Sequence, residues 1–267
     1  MLQSVTILLT VSRPRSGATT NQFGPTTLAA PRQLTRRSSE FIDSVLKLKP
    51  RIAAFDCDGT LWAGDAGEGF FHWELDQRLV SDEIAAWARR RYAAYRAGQV
   101  AEDDMCGEMV SMHRGLSENL VQAAANRYFD ENFVRQIFPE MRALVQKLQE
   151  QGSLVWAVSS TNQWMIRAGM RYFGIPQERI LAAAVEVRDG IITDLLTRVP
   201  SGDGKPQAIR ATVSGPLDIA FGNSRWDMAM LAMARQGFAI NPNPELETVA
   251  RQNAWPIYFP DLLADSG

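Results

Sequence analysis

Two aspartates, Asp56 and Asp58, stand close together at the end of a short apolar run and are followed by Gly59 and Thr60. An apolar stretch that ends abruptly in an acidic, Gly-containing loop predicts a buried strand that delivers both carboxylates into one crevice. A carboxylate that attacks phosphorus needs charge compensation, because bringing two anions together at low effective dielectric costs several kcal/mol. The spacing therefore predicts Asp56 as a nucleophile that works beside a cation.

Magnesium is the cation that this loop fits. Mg²⁺ takes about six hard oxygen ligands, so the Asp56 carboxylate and the main-chain carbonyl of Asp58 are candidate ligands. The Asp58 side chain then stays free to protonate a leaving oxygen and later to deprotonate the attacking water. The sequence thus predicts Mg²⁺ as the cofactor of a two-step hydrolysis. The alternative for paired aspartates in a loop is a solvated turn or a helix cap.

Four short motifs follow one another along the chain. They are Asp56-Cys57-Asp58-Gly59-Thr60, Ser159 with its neighbours Ser160 and Thr161, Asp203-Gly204-Lys205, and Gly222-Asn223-Ser224-Arg225-Trp226-Asp227. In this order they resemble the motifs of the haloacid dehalogenase superfamily, and within it those of the phosphoserine phosphatase-like branch. The resemblance covers residues 51 to about 259 and implies a phosphatase that works through an aspartyl-phosphate on Asp56.

The resemblance also implies which groups hold the phosphate. Lys205 would offset the charge of Asp56 and of the phosphate and so stabilise the transition state of phosphoryl transfer. Ser160 and Thr161 stand where the family commonly has a pair of glycines. The groups implied to bind the phosphate oxygens are Ser159, Ser160, Gly59, Thr60 and Lys205.

The fourth motif departs from the family pattern, because Asn223 stands where an acidic metal ligand is expected. An asparagine oxygen can still bind Mg²⁺, but the loss of one negative charge should weaken the binding. Asp227, the other candidate metal residue of this motif, can also orient a metal-bound water or Lys205.

Three residues are implied as substrate contacts. Asp65 lies about nine positions after Asp56, where phosphoserine enzymes hold the substrate amine with an acid, and Glu68 follows one helical turn later. An ammonium-bearing, phosphoserine-like substrate is therefore a candidate. The arginine that binds the substrate carboxylate in those enzymes aligns with Met109, so Arg114 is the candidate replacement.

The elements that must position these residues alternate along the chain. Apolar runs such as 52–55, 154–158 and 217–221 predict buried strands, each followed by a polar loop and a helical stretch. This alternation predicts an α/β fold with a mostly parallel sheet, in which ligands bind beyond the carboxyl ends of the strands.

The resemblance implies a Rossmannoid three-layer α/β/α core with an inserted helical cap of the C1 type. The predicted core comprises residues 40–66 and 138–267, and the predicted cap comprises residues 67–137. Residues 1–39 contain no Asp or Glu and are rich in Arg, Ser, Thr, Pro and Gly. Such a composition predicts a disordered or targeting-like leader.

Composition limits the partners. The formal net charge is −2 with mixed signs, which favours a small-molecule partner over nucleic acid, and the resemblance implies that this partner is a phosphomonoester. No apolar run approaches the ~20 residues of a membrane span, so no membrane partner is expected. The two cysteines lack metal-ligand spacing and favour a cytoplasmic location, although the leader leaves organelle targeting or export open. The sequence predicts no oligomeric state.

Two alternative functions remain open. The same motifs serve phosphotransferases and mutases, in which a second hydroxyl replaces water as the acceptor. Asn223 and the missing glycine pair would also suit a catalytically weakened protein that binds a phosphorylated ligand on this scaffold.

Overall fold

The computed structural model of the chain describes residues 34–261. Residues 1–33, most of the predicted leader, lie outside the described residues. Helix α1 (Arg36–Leu46) begins within the last part of that predicted leader. Thr35 fixes its start, because the Thr35 side chain accepts a hydrogen bond from the Ser38 amide.

A seven-stranded sheet lies at the centre of this part of the chain. The spatial order is β4-β3-β2-β1-β5-β6-β7, and neighbouring strands are parallel except in the β3–β4 hairpin. The prediction of an α/β fold with a mostly parallel sheet is confirmed. In chain order the strands are β1 (Ile52–Phe55), β2 (Leu154–Asn162), β3 (Ile180–Arg188), β4 (Ile191–Arg198), β5 (Ile219–Gly222), β6 (Gln236–Ile240) and β7 (Ile257–Tyr258).

Ten α-helices accompany the sheet within residues 34–261. No helix in this range is both long and apolar enough to cross a membrane. After α1 the helices are α2 (Ala66–Asp76), α3 (Asp82–Arg96), α4 (Glu102–Ser111), α5 (Glu118–Asn132), α6 (Pro139–Glu150), α7 (Gln163–Met170), α8 (Gly204–Thr212), α9 (Met228–Met233) and α10 (Pro244–Gln252).

Helices α2 to α5 form the stretch between β1 and α6, where the sequence predicts a cap. Part of their apolar surface makes a separate cluster that includes Phe71, Leu75, Ala88 and Met105. Other residues of α2 and α5, such as Phe129, join the large core cluster beside the sheet. These four helices therefore pack both on one another and on the elements that carry the motifs.

Three phenylalanines align across the middle of the sheet. Phe55 of β1 pairs in register with Phe221 of β5, which pairs with Phe238 of β6. The ring centroids lie 4.2 Å apart for Phe55 and Phe221, and 4.9 Å apart for Phe221 and Phe238. All three side chains are buried. This stack fixes the register of the strands whose next residues form the site.

Strand β2 is longer than predicted. The apolar pattern stops at Val158, but the strand continues to Asn162, with an irregular register between Val158 and Asn162. Pairing with β3 at Val158 and again at Asn162 therefore fixes both ends of the segment that carries the polar residues of the second motif.

Candidate active site

The carboxyl ends of β1, β2 and β5 meet at one edge of the sheet, as expected for parallel neighbours. Asp56 follows β1 directly, and its amide donates to the Phe221 carbonyl across a distance of 2.9 Å. Helix α8 begins beside these ends and brings Lys205 to the same edge. The first, third and fourth motifs therefore converge.

Lys205 joins the two carboxylates of this edge. Its Nζ donates to Asp56 Oδ1 at 2.7 Å, to Asp227 Oδ1 at 2.6 Å and to the Val158 carbonyl at 3.0 Å. The side chain is buried, and all three ammonium protons have acceptors. Burial acts to lower the pKa of Lys205, but the Asp227 and Asp56 charges outweigh it and raise that pKa. Lys205 is thus a permanent cation beside Asp56.

Asp56 lies in an environment with an excess of negative charge. Its Oδ2 accepts a hydrogen bond from the Thr60 hydroxyl at 2.8 Å. Burial and the charge of Asp227 raise the pKa of Asp56 to about 6, against the opposing effect of Lys205. At neutral pH Asp56 is therefore mostly ionised, as a nucleophile must be. Burial is the largest cause of the raised pKa, and the charge of Asp227 adds to it.

Asp58 has different partners from Asp56. Its Oδ1 accepts from Trp62 Nε1 at 2.8 Å and from the Ala66 amide at 2.6 Å. Its Oδ2 accepts from the Thr161 hydroxyl at 2.8 Å. Burial and the charge of Asp65 raise the pKa of Asp58 to about 8, although the Ala66 amide opposes this. Asp58 therefore carries a proton for much of the time at neutral pH, which suits a general acid.

Asp227 holds the fourth motif together. While its Oδ1 accepts from Lys205, its Oδ2 accepts from the Asn223 amide at 2.9 Å, the Ser224 amide at 3.0 Å and the Ser224 hydroxyl at 3.2 Å. Both oxygens are thus used by protein donors. This geometry favours Asp227 as the residue that orients Lys205 over Asp227 as a direct metal ligand, the other predicted role.

Asn223 lies against the turn that follows Asp58. A methyl group built on Gly59 would lie 1.8 Å from Asn223 Nδ2, and Gly59 has a φ of +75°. Only glycine fits this position, because any side chain would be strained and would collide with the amide. The fourth motif therefore packs directly on the first.

The donor set at this edge fits Mg²⁺. Asp56, the Asp58 carbonyl and the Asn223 side chain offer hard oxygens, and the buried Asp56 and Asp227 charges exceed the single charge of Lys205. Within residues 34–261 no cluster of three or more acidic, His or Cys side chains forms a metal site. The predicted ligands are accordingly a mixed set of carboxylate, carbonyl and amide oxygens.

The residues that were predicted to bind phosphate fall into two sets. Ser159 is buried at the strand end, and its oxygen accepts from the Thr161 amide at 3.1 Å. Thr60 is also buried, and its hydroxyl is committed to Asp56. Thr60 therefore orients Asp56, the predicted nucleophile, whereas Ser159 and Ser160 lie along the second motif beside the crevice.

A cavity of about 130 Å³ adjoins the second motif and the start of α2. It contains both predicted amine contacts, Asp65 and Glu68. Most of its other polar residues, which come from α2, α3, α4 and the end of β2, were not predicted as site residues. The lining consists of Asp65, Gly67, Glu68, Phe71, Glu74, Tyr92, Tyr95, Arg96, Glu102, Met105, Cys106, Met109, Ser160, Thr161 and Asn162.

Arg114 is not among these residues. It follows the end of α4, and its Nη1 pairs with Asp194 Oδ2 of β4 at 2.7 Å with 71% of the Arg114 side chain exposed. The structure therefore does not place Arg114, the candidate contact for a substrate carboxylate, at the cavity. Arg96, at the end of α3, is the arginine that lines the cavity. Its spacing from Tyr92 on one helical face was the available signal, but such a stripe usually indicates core packing.

The fold and these contacts define an α/β enzyme whose carboxylate side chains lie at the carboxyl ends of the strands. The sequence matches the haloacid dehalogenase-like hydrolase family over residues 53–232, which is more than half of the chain. The chain belongs to the haloacid dehalogenase-like hydrolase family.

Two curated relatives are phosphatases by name. The "Histidinol-phosphatase" of Neisseria meningitidis is 26% identical over 217 residues, which cover 77% of this chain and 97% of the relative. The "Phosphoserine phosphatase SerB1" of Mycobacterium tuberculosis is 27% identical over 199 residues, which cover 71% of this chain and 58% of the relative. The family and these relatives support a phosphatase, and the resemblance to the phosphoserine phosphatase-like branch is confirmed.

Solved structures share the fold. A Bordetella pertussis protein of unknown function superposes with a TM-score of 0.69 at 21% identity, covering 78% of this chain and 98% of that protein. A phosphoserine phosphatase solved as a phospho-aspartyl intermediate analogue gives a TM-score of 0.51 at 17% identity, covering 80% and 96%. At these identities the likeness establishes the fold alone.

Proposed function

We propose that the chain is a magnesium-dependent phosphatase that hydrolyses a small organic phosphomonoester through an aspartyl-phosphate on Asp56. The observation that carries the proposal is the buried contact of Lys205 with both Asp56 and Asp227. This contact leaves Asp58, which has its own hydrogen-bond donors, as a separate acid and base.

The first step transfers the phosphoryl group to the protein. An Asp56 carboxylate oxygen forms a bond to phosphorus while the bond from phosphorus to the leaving oxygen breaks. The proton of Asp58 moves to that leaving oxygen, so the leaving group departs as a neutral alcohol. Lys205 remains charged and offsets the negative charge on the phosphoryl oxygens, and Ser159 supplies a hydrogen-bond donor.

The second step releases phosphate. Asp58, now ionised, takes a proton from a water molecule whose oxygen attacks phosphorus. The bond between phosphorus and the Asp56 oxygen breaks, which restores the Asp56 carboxylate and frees inorganic phosphate. Asp58 ends the cycle protonated, as it began, so one residue serves as acid and then as base.

Magnesium, when bound, would neutralise charge on Asp56 and on the phosphoryl oxygens. Asp56, the Asp58 carbonyl and Asn223 are the groups that would hold it. Asp227 would contribute indirectly by fixing Lys205 and the loop that carries Asn223.

The names of two relatives support a proposal for the substrate class. Their names refer to phosphoserine and to histidinol phosphate, which are both phosphomonoesters of alcohols that bear an amine. The predicted position of Asp65 and Glu68 in the cavity agrees with an ammonium group on the leaving alcohol. A phosphoserine-like substrate is one member of this class. We expect the enzyme to work in the cytoplasm on small molecules.

Turnover of p-nitrophenyl phosphate tests the proposal. We expect release of p-nitrophenol that requires added Mg²⁺ and is lost in Asp56→Asn, whose folding is checked by circular dichroism. Wild-type turnover that does not need a divalent cation, or full activity in Asp56→Asn, would contradict the proposal. Analysis of products with and without added alcohols separates hydrolysis from transfer to a second hydroxyl.

One observation favours a second candidate, a weakened protein that binds phosphorylated ligands: Asn223 gives the cation site a neutral oxygen. If the proposed function is right, Asn223→Asp tightens the apparent Mg²⁺ affinity measured by activity titration, because a charge is restored. A protein that binds phosphate esters without turning them over, even after this substitution, would support the second candidate.

A further inference from the structure

A second and larger cavity, of about 410 Å³, is lined by residues of α7, β3, β4 and α8. This volume is within the range of binding sites for small molecules. None of the residues that line it belongs to the catalytic edge or to the cavity beside the second motif. The phosphatase mechanism therefore gives this second cavity no role.

Gln163, the first residue of α7, brings a buried donor to the second cavity. Its side chain is 5% exposed, and its Oε1 accepts a hydrogen bond from Arg167 Nη2 at 3.0 Å. This bond fixes the orientation of the amide, because the opposite orientation would turn two donors toward each other. Nε2 of Gln163 then has no hydrogen-bond partner within residues 34–261. A buried donor without an acceptor is costly, so a ligand oxygen is its expected partner.

Arg198, the last residue of β4, brings a cation to the same cavity. Its Nε donates to the Ala182 carbonyl at 2.8 Å, and its Nη2 donates to the Ile180 carbonyl at 3.3 Å. These two bonds hold the half-buried guanidinium in place. No carboxylate in the described part of the chain pairs with it. Burial and the nearby charge of Arg167 lower the pKa of Arg198. The guanidinium is thus held near a second cation without a counter-ion from the described residues.

The other charges around the second cavity are compensated or solvated. Arg167 Nη1 pairs with Glu118 Oε1 at 2.7 Å, which offsets the charge of Arg167. Glu178, the acid of the lining, is exposed, so water and salt screen its charge. The charge of Arg198 is therefore the one that lacks compensation. A planar guanidinium with a neighbouring amide donor suits a phosphate or carboxylate group.

We propose that the second cavity binds a small molecule through a phosphate or carboxylate group, with Gln163 Nε2 and the Arg198 guanidinium as the donors that hold this anion. The site is separate from the catalytic edge. The proposal goes beyond the phosphatase function and does not depend on turnover.

Nuclear magnetic resonance reads this site directly, because the side-chain N–H groups of Gln163 and Arg198 each give a signal. The full chain, labelled on nitrogen, is titrated with inorganic phosphate or with acetate at constant ionic strength and without a divalent cation. In that state the charges of Asp56 and Asp227 exceed that of Lys205, which disfavours an anion at the catalytic edge. We expect both signals to shift and to saturate with one shared dissociation constant for at least one of the two anions.

Matched variants test the two donors. Gln163→Glu keeps an acceptor for Arg167 and replaces the free donor with a negative oxygen. The anion affinity, read at Arg198 Nε, should fall about 10-fold or more, the scale of a hydrogen bond to a charged group. Arg198→Gln should cause a similar loss, read at Gln163 Nε2. The control Gln252→Glu makes the same charge change at the exposed end of α10 and should keep the wild-type affinity.

The outcomes are distinct. Saturation that Gln163→Glu weakens supports the proposal, and the anion that binds more tightly identifies the group that the ligand carries. Signals that do not move, or that move without saturating, with both anions would overturn it, because water would then be the partner of Gln163. Unchanged affinity in Gln163→Glu, or an equal loss in Gln252→Glu, would also overturn it. Gln163→Glu decides the question alone if Arg198→Gln does not fold. Because no turnover is measured, failure here would leave the phosphatase proposal intact.

Discussion

At the residue scale, the two aspartates of the first motif differ because their neighbours differ. Asp56 contacts Lys205 and Thr60, which favour its ionised form, whereas Asp58 is partly buried near Asp65 and retains its proton to higher pH. The pKa values of about 6 and about 8 therefore lie on either side of neutrality. Such a separation allows one carboxylate to be a nucleophile and the other an acid.

Thr161 is a residue at which this sequence departs from the family pattern. Its hydroxyl donates to Asp58 Oδ2, and a methyl group on Gly67 of α2 would lie 2.4 Å from that hydroxyl. Gly67 therefore leaves room for a threonine where the family commonly has glycine. Thr161 acts as a positioning residue for Asp58.

We predict that Thr161→Val raises the pKa of Asp58, because the ionised carboxylate loses a hydrogen-bond donor. The alkaline limb of the pH profile of kcat should move upward by about one pH unit, equivalent to about 1.4 kcal/mol. Thr161→Ser, which keeps the hydroxyl, is the matched control and should retain the wild-type limb. An unchanged limb in Thr161→Val would show that Thr161 does not set the protonation of Asp58.

At the element scale, strand register determines the site. The stack of Phe55, Phe221 and Phe238 aligns β1, β5 and β6, and the Asp56 amide continues this pairing to the Phe221 carbonyl. The catalytic edge thus depends on core packing one residue away. A loss of packing here should lower the stability of the fold, and activity should fall as a consequence of that lower stability.

Phe221→Ala tests this packing. Removing a fully buried ring should lower the free energy of unfolding by about 3–5 kcal/mol, as measured by urea denaturation. Phe259→Ala removes a ring that is 40% exposed and should change it by about 0.5 kcal/mol or less. A small effect of Phe221→Ala would mean that the stack does not hold the three strands in register.

The elements also show what a sequence can and cannot reveal. The strands and the order of the motifs were predictable, because buried parallel strands are continuous apolar runs and their carboxyl ends meet at one edge. Strand β2 was predicted too short, because its polar end pairs irregularly with β3. The Thr161 contact with Asp58 and the position of Glu102 depend on packing between distant helices, which no local pattern encodes. Arg114 lies in the turn after α4 and pairs with Asp194. Because Asp194 belongs to the β3–β4 hairpin, this pairing also depends on packing between distant elements.

At the scale of the whole molecule, a sheet edge and a group of helices supply different parts of the candidate site. The sheet edge holds the reacting groups, and helices α2 to α4 supply the acidic cavity beside them. The charge balance of the entire site then determines the pH at which the enzyme works.

The pH profile of the wild type follows from this balance. In the proposed mechanism turnover requires ionised Asp56 and protonated Asp58, so kcat/KM should rise with pH through about 6 and fall through about 8. Raising Mg²⁺ from a subsaturating to a saturating concentration should move the acid limb to lower pH, because a cation stabilises the Asp56 carboxylate. Activity that keeps rising well above the pKa of Asp58 would contradict its role as the acid.

Trapping the covalent intermediate is the most direct test of the central claim. Asp58→Asn lacks the base that activates water, so a phosphorylated form should accumulate from a substrate with a good leaving group such as p-nitrophenyl phosphate. Acid quenching, peptide digestion and mass spectrometry should then find the phosphoryl group on Asp56, with none in Asp56→Asn. A phosphoryl group on another residue, or p-nitrophenol release without any labelled peptide, would contradict nucleophilic catalysis by Asp56.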